Sequence, residues 1–220
     1  MKLARPDIRH PRIVLAGAAP GDDAGLVAAL RRRGLHAQWL PWHDPDTLHA
    51  DVVILRAAGD DRLDEFLAWT RRVRHLLNPP HVVAWNTDKR YLRDLQQAGV
   101  PTTRATASED ATALVFLGGT QSHAFTTQRC VDADFELWDV GHAALRVAAE
   151  HVRIRADELL YARADVTDDA RLVRLDLVAP SLGWQLLDDA ARDIAERQFA
   201  VCVESALERL GLGPLSHRRP

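Results

Sequence analysis

Short apolar runs alternate with amphipathic stretches through the first hundred residues, and this alternation constrains the fold more than any other feature. Strands are predicted at residues 12–17, 36–42, 51–56 and 82–85, with helices opening at Asp22, spanning 62–77 and opening at Asp88. Such a rhythm is typical of a parallel sheet with helices on its faces. We therefore expect an α/β protein whose residues 1–101 form a Rossmann-like N-terminal lobe.

The pattern of the second half is antiparallel. A polar stretch, TTRATASEDA (102–111), is followed by strands at 114–117 and 123–126 around GGTQ, a turn signal. A further strand is predicted at 135–140, a helix at 142–152, a hairpin at 159–166 and 171–179, and a long helix at 186–210. We expect a second, α+β lobe with an antiparallel sheet over residues 112–215.

Composition excludes several classes of protein. A formal net charge of −3 and a pI of about 6.4 provide no basic field for nucleic acid. No apolar run approaches the roughly 20 residues of a membrane span, and the N-terminus is too polar for a signal peptide. Cys130 and Cys202 have neither metal-site nor disulfide spacing, so a reduced, cytoplasmic protein is expected. The loop GAAPGD is not GxGxxG, and no dinucleotide site is predicted.

The stretch DKRYLRDLQQAGVP resembles the junction that leads into an ATP-grasp domain. The segments DVVILRAAGD, LLNPP and WNTDKRYL are similar to sequences of the ATP-grasp group that includes the D-cycloserine-forming ligase. LVFLGGTQSHAF and LLYARADV…LVRLDLVAPSL are similar to the last subdomain of that group. The resemblance implies ATP-dependent activation of a carboxylate as an acylphosphate, with a middle lobe for the nucleotide and carboxylates for magnesium in the last lobe.

The middle lobe that this resemblance implies is missing. Only a dozen residues separate Pro101 from Leu114, and the only lysines of the chain are Lys2 and Lys89. Twelve residues are too few for the strands, helix and glycine-rich lid of a nucleotide-binding lobe. The C-terminal half is therefore interpreted as a remnant ATP-grasp lobe, and we expect no nucleotide cofactor.

The position that the resemblance implies for magnesium has also changed. Asp165 matches the first metal-binding aspartate, but Arg174 lies where the first acid of the next strand belongs, and Ala179 replaces a later glutamate. Magnesium takes oxygen ligands, and a guanidinium is a cation without an acceptor. No metal is expected, although a site between Asp165 and Asp176 is the competing interpretation.

The hairpin predicts how these side chains meet. If the turn is centred on residues 169–170, Arg163 faces Asp176 and Asp165 faces Arg174, with all four side chains on one side of the sheet. We expect two exposed cross-strand ion pairs whose charges sum to zero. These four residues, Arg163, Asp165, Arg174 and Asp176, are the candidate site.

Other candidate residues have a simpler interpretation. Ser122 and His123 are neighbours on a predicted strand, where adjacent side chains point to opposite faces, so no nucleophile–base pair is expected. Trp184 is predicted to be an exposed interface anchor. The wide apolar stripe of the last helix fits either burial between the lobes or a homo-oligomer contact. The N-terminal lobe also carries histidines without metal-ligand spacing, expected on the surface: His10, His36, His43, His49, His75 and His81.

Three functional hypotheses follow. The leading one is a degenerate ATP-grasp-like protein that binds or scaffolds a partner and forms a homodimer over the sheet surface left by the lost lobe. The second is a minimal carboxylate–amine ligase or other small enzyme using the inter-lobe cleft, in which Arg163 and Arg174 clamp a small anionic ligand. The third is a small-molecule sensor with its ligand at the carboxyl ends of the parallel strands.

Overall fold

The computed structural model describes residues 10–17, 21–103 and 111–213. Most of the polar stretch 102–111 and the C-terminal SHRRP lie outside these ranges. None of the helices within them combines the length and apolar character needed to cross a membrane.

The N-terminal lobe is the expected parallel sheet. Its strands are β1 (Ile13–Ala16), β2 (Ala37–Leu40), β3 (Val52–Leu55) and β4 (Leu76–Leu77), in the order β2-β1-β3-β4. The helices of this half are α1 (Leu26–Arg32), α2 (Leu63–Thr70), α3 (Pro80–Thr87) and α4 (Tyr91–Gln97). β1 and β3 are fully buried apolar strands, as is usual when helices cover both faces of a parallel sheet.

Three predictions of local structure in this lobe are wrong. The helix predicted over 62–77 ends at Thr70, and its last two residues form β4. Residues 82–85 belong to α3 rather than to a strand: Pro80 begins that helix, where its fixed φ is favourable, and a short buried apolar run fits either structure. Asp22 does not cap α1, which follows Gly25 without a side-chain cap.

The second lobe contains the expected antiparallel sheet. Its strands are β5 (Thr112–Leu117), β6 (Thr120–Phe125), β7 (Cys130–Val131), β8 (Tyr161–Val166) and β9 (Leu172–Asp176), ordered β7-β6-β5-β8-β9. Two long helices, α5 (Phe135–His151) and α6 (Asp189–Arg209), accompany it. The strand predicted at 135–140 is the first part of α5, whose buried Leu137, Val140 and Ala144 have helical spacing.

The connection between the lobes is short. α4 ends at Gln97 and β5 begins at Thr112, so fourteen residues, 98–111, join them. Part of this connection already belongs to the second sheet: Leu172 N–H donates to the carbonyl of Pro101 at 2.8 Å, and Thr103 N–H donates to the carbonyl of Leu172 at 2.9 Å. Eight residues, 104–111, then lead from Thr103 to β5; they span at most about 30 Å when fully extended and are too few to form a further lobe.

Helix α6 lies between the two lobes. One apolar core combines side chains from the parallel sheet and α1 with side chains from the antiparallel sheet and α6, among them Leu15, Leu30, Val115 and Phe199. Burial between the lobes thus accounts for most of the apolar stripe. Trp184 belongs to the same core and is 1% exposed, so its prediction as an exposed anchor is wrong.

Candidate functional site

The four candidate residues lie on β8 and β9 as predicted. Arg163 is paired with Asp176 and Asp165 with Arg174, and the register shifts by a bulge only beyond Asp165. The turn and the side-chain alternation of the two strands were therefore sufficient to bring these residues together.

The ion pairs differ from the prediction, because both guanidinium groups converge on Asp165. Arg163 Nε donates to Asp165 Oδ1 at 2.6 Å, and Arg174 Nε donates to Asp165 Oδ2 at 2.9 Å, with Arg174 Nη2 also 2.9 Å from that oxygen in the ion pair. Asp176 forms no ion pair with any described residue and instead accepts the Val178 N–H at 3.1 Å. Arg163 reaches Asp165 because residues two apart on a strand share a face.

Asp165 is also more buried than predicted. Its side chain is 5% exposed, against 19% for Arg163 and 45% for Arg174. A buried carboxylate is tolerated when charge-assisted hydrogen bonds replace its hydration, and here two arginines supply them. Sequence alternation gives the face of a residue but not how deeply neighbouring segments cover it.

The electrostatic environment keeps Arg174 charged. Burial alone would lower the pKa of its guanidinium, but the negative charges of Asp165 and Asp176 outweigh burial, and the net pKa is raised. Tyr91 lies close by on α4, and its hydroxyl oxygen accepts the Leu175 N–H at 3.2 Å. Burial raises the pKa of Tyr91, which therefore stays neutral at physiological pH.

The residues present do not fit magnesium. Both oxygens of Asp165 are bound to guanidinium groups, and Arg174 brings a positive charge to the place where a dication would need an oxygen ligand. Among the described residues, no group of three or more histidine, cysteine, aspartate or glutamate side chains could hold a metal ion together.

A segment that we call the strap (residues 180–187) contacts both lobes and reaches this cluster at Arg163. Its carbonyl groups accept hydrogen bonds from side chains of both lobes: Pro180 from Arg56 at 2.8 Å, Ser181 from Arg163 at 3.4 Å and Leu182 from His123 at 2.6 Å. The chain's own backbone therefore fills part of the space between the lobes.

Two aspartates hold the strap from the N-terminal lobe. Asp22 accepts the Gln185 N–H at 2.7 Å and the Ser181 hydroxyl at 3.2 Å. Asp23 accepts Trp184 Nε1–H at 2.9 Å and forms a two-bond ion pair with the buried Arg56. The carboxyl end of the parallel sheet, where α/β proteins commonly bind ligands, is here bound by the strap.

Ser122 and His123 form a hydrogen bond, contrary to the prediction from strand alternation. Ser122 Oγ lies 3.0 Å from His123 Nδ1. A β-bulge is the reason: Val115 pairs with His123 but Phe116 with Gln121, so Ser122 has no partner and its side chain is redirected. Burial lowers the pKa of His123, and the neutral ring donates from Nε2 to the strap while Nδ1 accepts from Ser122.

The other histidines of the N-terminal lobe do not converge on a site. His10, His36, His43, His49 and His81 are exposed, as predicted for surface histidines, and His75 is half-buried. His10 and His36 meet edge to face at 5.6 Å without a further metal-ligating neighbour among the described residues.

Comparison with known proteins places this geometry in context. Residues 10–78 match the family model described as D-cycloserine synthetase DcsG, N-terminal domain. The cycloserine biosynthesis protein DcsG of Streptomyces lavendulae is 38% identical over 100 residues, which are 41% of this chain and 33% of that protein. The aligned stretch thus spans about a third of that relative's length.

Solved structures are similar over nearly the whole chain. The crystal structure of D-cycloserine synthetase DcsG superposes with a TM-score of 0.75 at 22% identity, covering 90% of this chain and 99% of that one. The RimK domain ATP-grasp protein of Sphaerobacter thermophilus gives 0.61 at 11% identity, covering 87% and 99%. The ATP-grasp ligase PsnB, solved with a minimal precursor, Mg and ADP, gives 0.58 at 12% identity, covering 87% and 98%.

The fold is ATP-grasp-like and related to that of D-cycloserine synthetase. The predicted resemblance and the predicted fold class are both confirmed. The cluster around Asp165 lies on β8 and β9 of the second lobe, and the fourteen residues 98–111 join α4 to β5.

Proposed function

We propose that this chain is a degenerate ATP-grasp-like protein that does not catalyse ATP-dependent ligation and acts as a binding or scaffolding protein. The observation that carries the proposal is the fourteen-residue connection between α4 and β5. A nucleotide-binding lobe must surround the triphosphate, and a connection of this length has no chain left to do so. The two free cysteines are consistent with a reduced compartment such as the cytoplasm.

The cluster around Asp165 supports the same proposal. Phosphoryl transfer depends on positioning and on metal ions that neutralise charge on the phosphates. Here the matching carboxylate is already bound to two arginines, and Asp176 is bound to backbone. On this proposal, the described residues lack a lobe that could enclose a nucleotide, and Asp165 and Asp176 are not available as a pair of magnesium ligands.

Calorimetric titration of the full chain with ATP and magnesium tests this proposal. We expect no saturable binding and no formation of ADP in the presence of amino-acid and carboxylate mixtures. Binding with a micromolar dissociation constant would contradict the proposal and favour the active alternative.

That alternative is a minimal ATP-grasp ligase or small-molecule enzyme using the inter-lobe cleft. Its favouring observation is that Arg163 and Arg174 are both oriented by Asp165, as residues that clamp an anion would be. The variant Arg174→Glu discriminates further: magnesium binding by this variant would support the assignment of position 174 as a former metal ligand.

A further inference from the structure

The cluster around Asp165 has the wrong donor atoms for magnesium, but its arginines have donors that suit an anion. From the geometry we infer that the guanidinium of Arg174 takes the place of the dication and makes the cluster a metal-independent site for the oxyanion of a small molecule, a phosphate or a carboxylate. The inference rests on the proposed binding function and adds to it the chemical class of the ligand.

The first support is the arrangement of donors. Asp165 fixes one edge of each arginine, through Arg163 Nε and through Arg174 Nε and Nη2. Arg163 Nη2 and Arg174 Nη1 have no hydrogen-bond partner among the described residues. Two guanidinium groups held by one carboxylate present preoriented N–H donors, which is the geometry that binds phosphate and carboxylate groups well.

The second support is the distribution of charge and exposure. Arg163, Asp165 and Arg174 together carry a net charge of +1, because one buried carboxylate is paired with two cations; Asp176 on the same face brings the sum over the four side chains to zero. The carboxylate is 5% exposed while Arg174 is 45% exposed, so an incoming anion meets the cations and not Asp165. The prediction that the charges of this patch cancel counted Asp176 as an ion-pair partner of Arg163; Asp176 instead accepts the Val178 N–H, so its negative charge remains near the two arginines without forming an ion pair with either.

The third support is the rigidity of the site. Arg163 stacks over the ring of Phe125 at 5.0 Å, and the strap carbonyl of Ser181 accepts its Nη1–H. Arg174 is attached to a strand whose backbone is paired with β8. A preoriented site loses little side-chain freedom when a ligand binds, so more of the interaction appears as affinity.

The test is calorimetric titration of the full chain with sodium phosphate and, separately, with sodium acetate, in EDTA at low ionic strength. We expect saturable binding by the wild-type chain that added magnesium does not strengthen. Tighter binding of phosphate identifies a phosphorylated ligand, and tighter binding of acetate identifies a carboxylate ligand.

Variants locate the site. Arg174→Gln is expected to weaken binding about tenfold or more, since a charge-assisted hydrogen bond is lost. Arg171→Gln is the matched control, because Arg171 lies on the same hairpin, pairs with Asp169 in the turn and carries the same charge. Its effect should be close to none. Asp176→Asn, which removes a nearby negative charge, should strengthen binding.

Three results would overturn the inference: no saturable binding of either anion by the wild-type chain, equal losses in Arg174→Gln and Arg171→Gln, or binding only when magnesium is added. A thermal melt by circular dichroism accompanies each variant. If Arg174→Gln does not fold, Arg174→Lys retains the charge without the planar fork and should show a smaller loss. The proposed absence of ATP binding is measured separately, so either idea can fail alone.

Discussion

At the scale of single residues, hydrogen bonds between side chains and backbone decide how the site is built. Asp165 binds two arginines, and His123 joins Ser122 to the carbonyl of Leu182. No sequence motif distinguishes these residues, and their roles depend on which segments pack over them. The buried ring of His123, whose pKa is lowered by burial, has a consequence for stability.

We expect the free energy of unfolding to decrease as the pH is lowered from 7.5 to 5.5. The unfolded histidine takes up a proton around its ordinary pKa of 6.5, while the folded one resists protonation, so below that pH the unfolded state gains. Urea denaturation at both pH values measures the loss, and His123→Gln should reduce the difference between them.

The control for this variant is His81→Gln, which alters an exposed histidine of α3. It should leave the difference between the two pH values unchanged. If the difference in unfolding free energy between the two pH values is the same in His123→Gln as in His81→Gln, the pH dependence does not come from His123.

At the scale of elements, the strap is a segment that forms hydrogen bonds with both lobes. It has a left-handed residue, Gly183, at φ +66°, and a Cβ atom there would lie 2.5 Å from Cε1 of Phe125. Glycine is therefore required twice, for the backbone conformation and for the close approach to an aromatic ring. We expect a side chain at this position to push the strap away from Phe125, whose ring also contacts Arg163.

Gly183→Ala is expected to lower the free energy of unfolding by about 1–3 kcal/mol more than Gly34→Ala does. Gly34 is also left-handed, at φ +77°, but has no atom within 4 Å of an added Cβ, so it isolates the cost of the backbone conformation. Urea denaturation of both variants gives the comparison. Equal losses would show that the ring of Phe125 moves aside without cost.

At the scale of the whole molecule, the two lobes share one core and are joined by buried polar contacts. Asn78, fully buried, donates to the carbonyl groups of Tyr161 and Leu177 and accepts the Leu160 N–H at 2.7 Å. The Tyr161 hydroxyl lies 2.7 Å from the carbonyl oxygen of Leu55 on β3. Such contacts position the cluster of β8 and β9 against the N-terminal lobe.

We also propose a homodimer, in which a second copy packs against the exposed apolar side of helix α6. Helix α6 leaves two aliphatic side chains exposed seven residues apart on one face, Ile194 at 65% and Val201 at 41%. Light scattering after size exclusion should give a mass twice 24.5 kDa.

Substitution tests the surface of this dimer. Ile194→Glu should shift the mass toward the monomer, because it places a charge in an apolar contact, and Phe135→Glu, which alters an exposed aromatic on α5, should not. A monomeric wild-type chain at all concentrations would contradict the homodimer.

The sequence by itself determined the order of the lobes, the parallel and antiparallel sheets, the short connection after Pro101 and the pairing of Asp165 with Arg174. Each depends on local periodicity or on chain length, which tertiary packing does not change. The runs at residues 82–85 and 135–140 were predicted as strands but are helical. A short apolar run can be buried in either structure, so the local pattern could not decide between them.

Only the tertiary structure decided that Asp165 is buried and binds both arginines, that Ser122 is turned toward His123 by a bulge, and that Trp184 lies in the core. The burial of Asp165 and Trp184 depends on segments that are distant in the chain, and the redirected Ser122 depends on how β6 pairs with β5. Such contacts are set by how segments pack together in space. The charge of a side chain and its spacing in the sequence do not predict which segment will cover it.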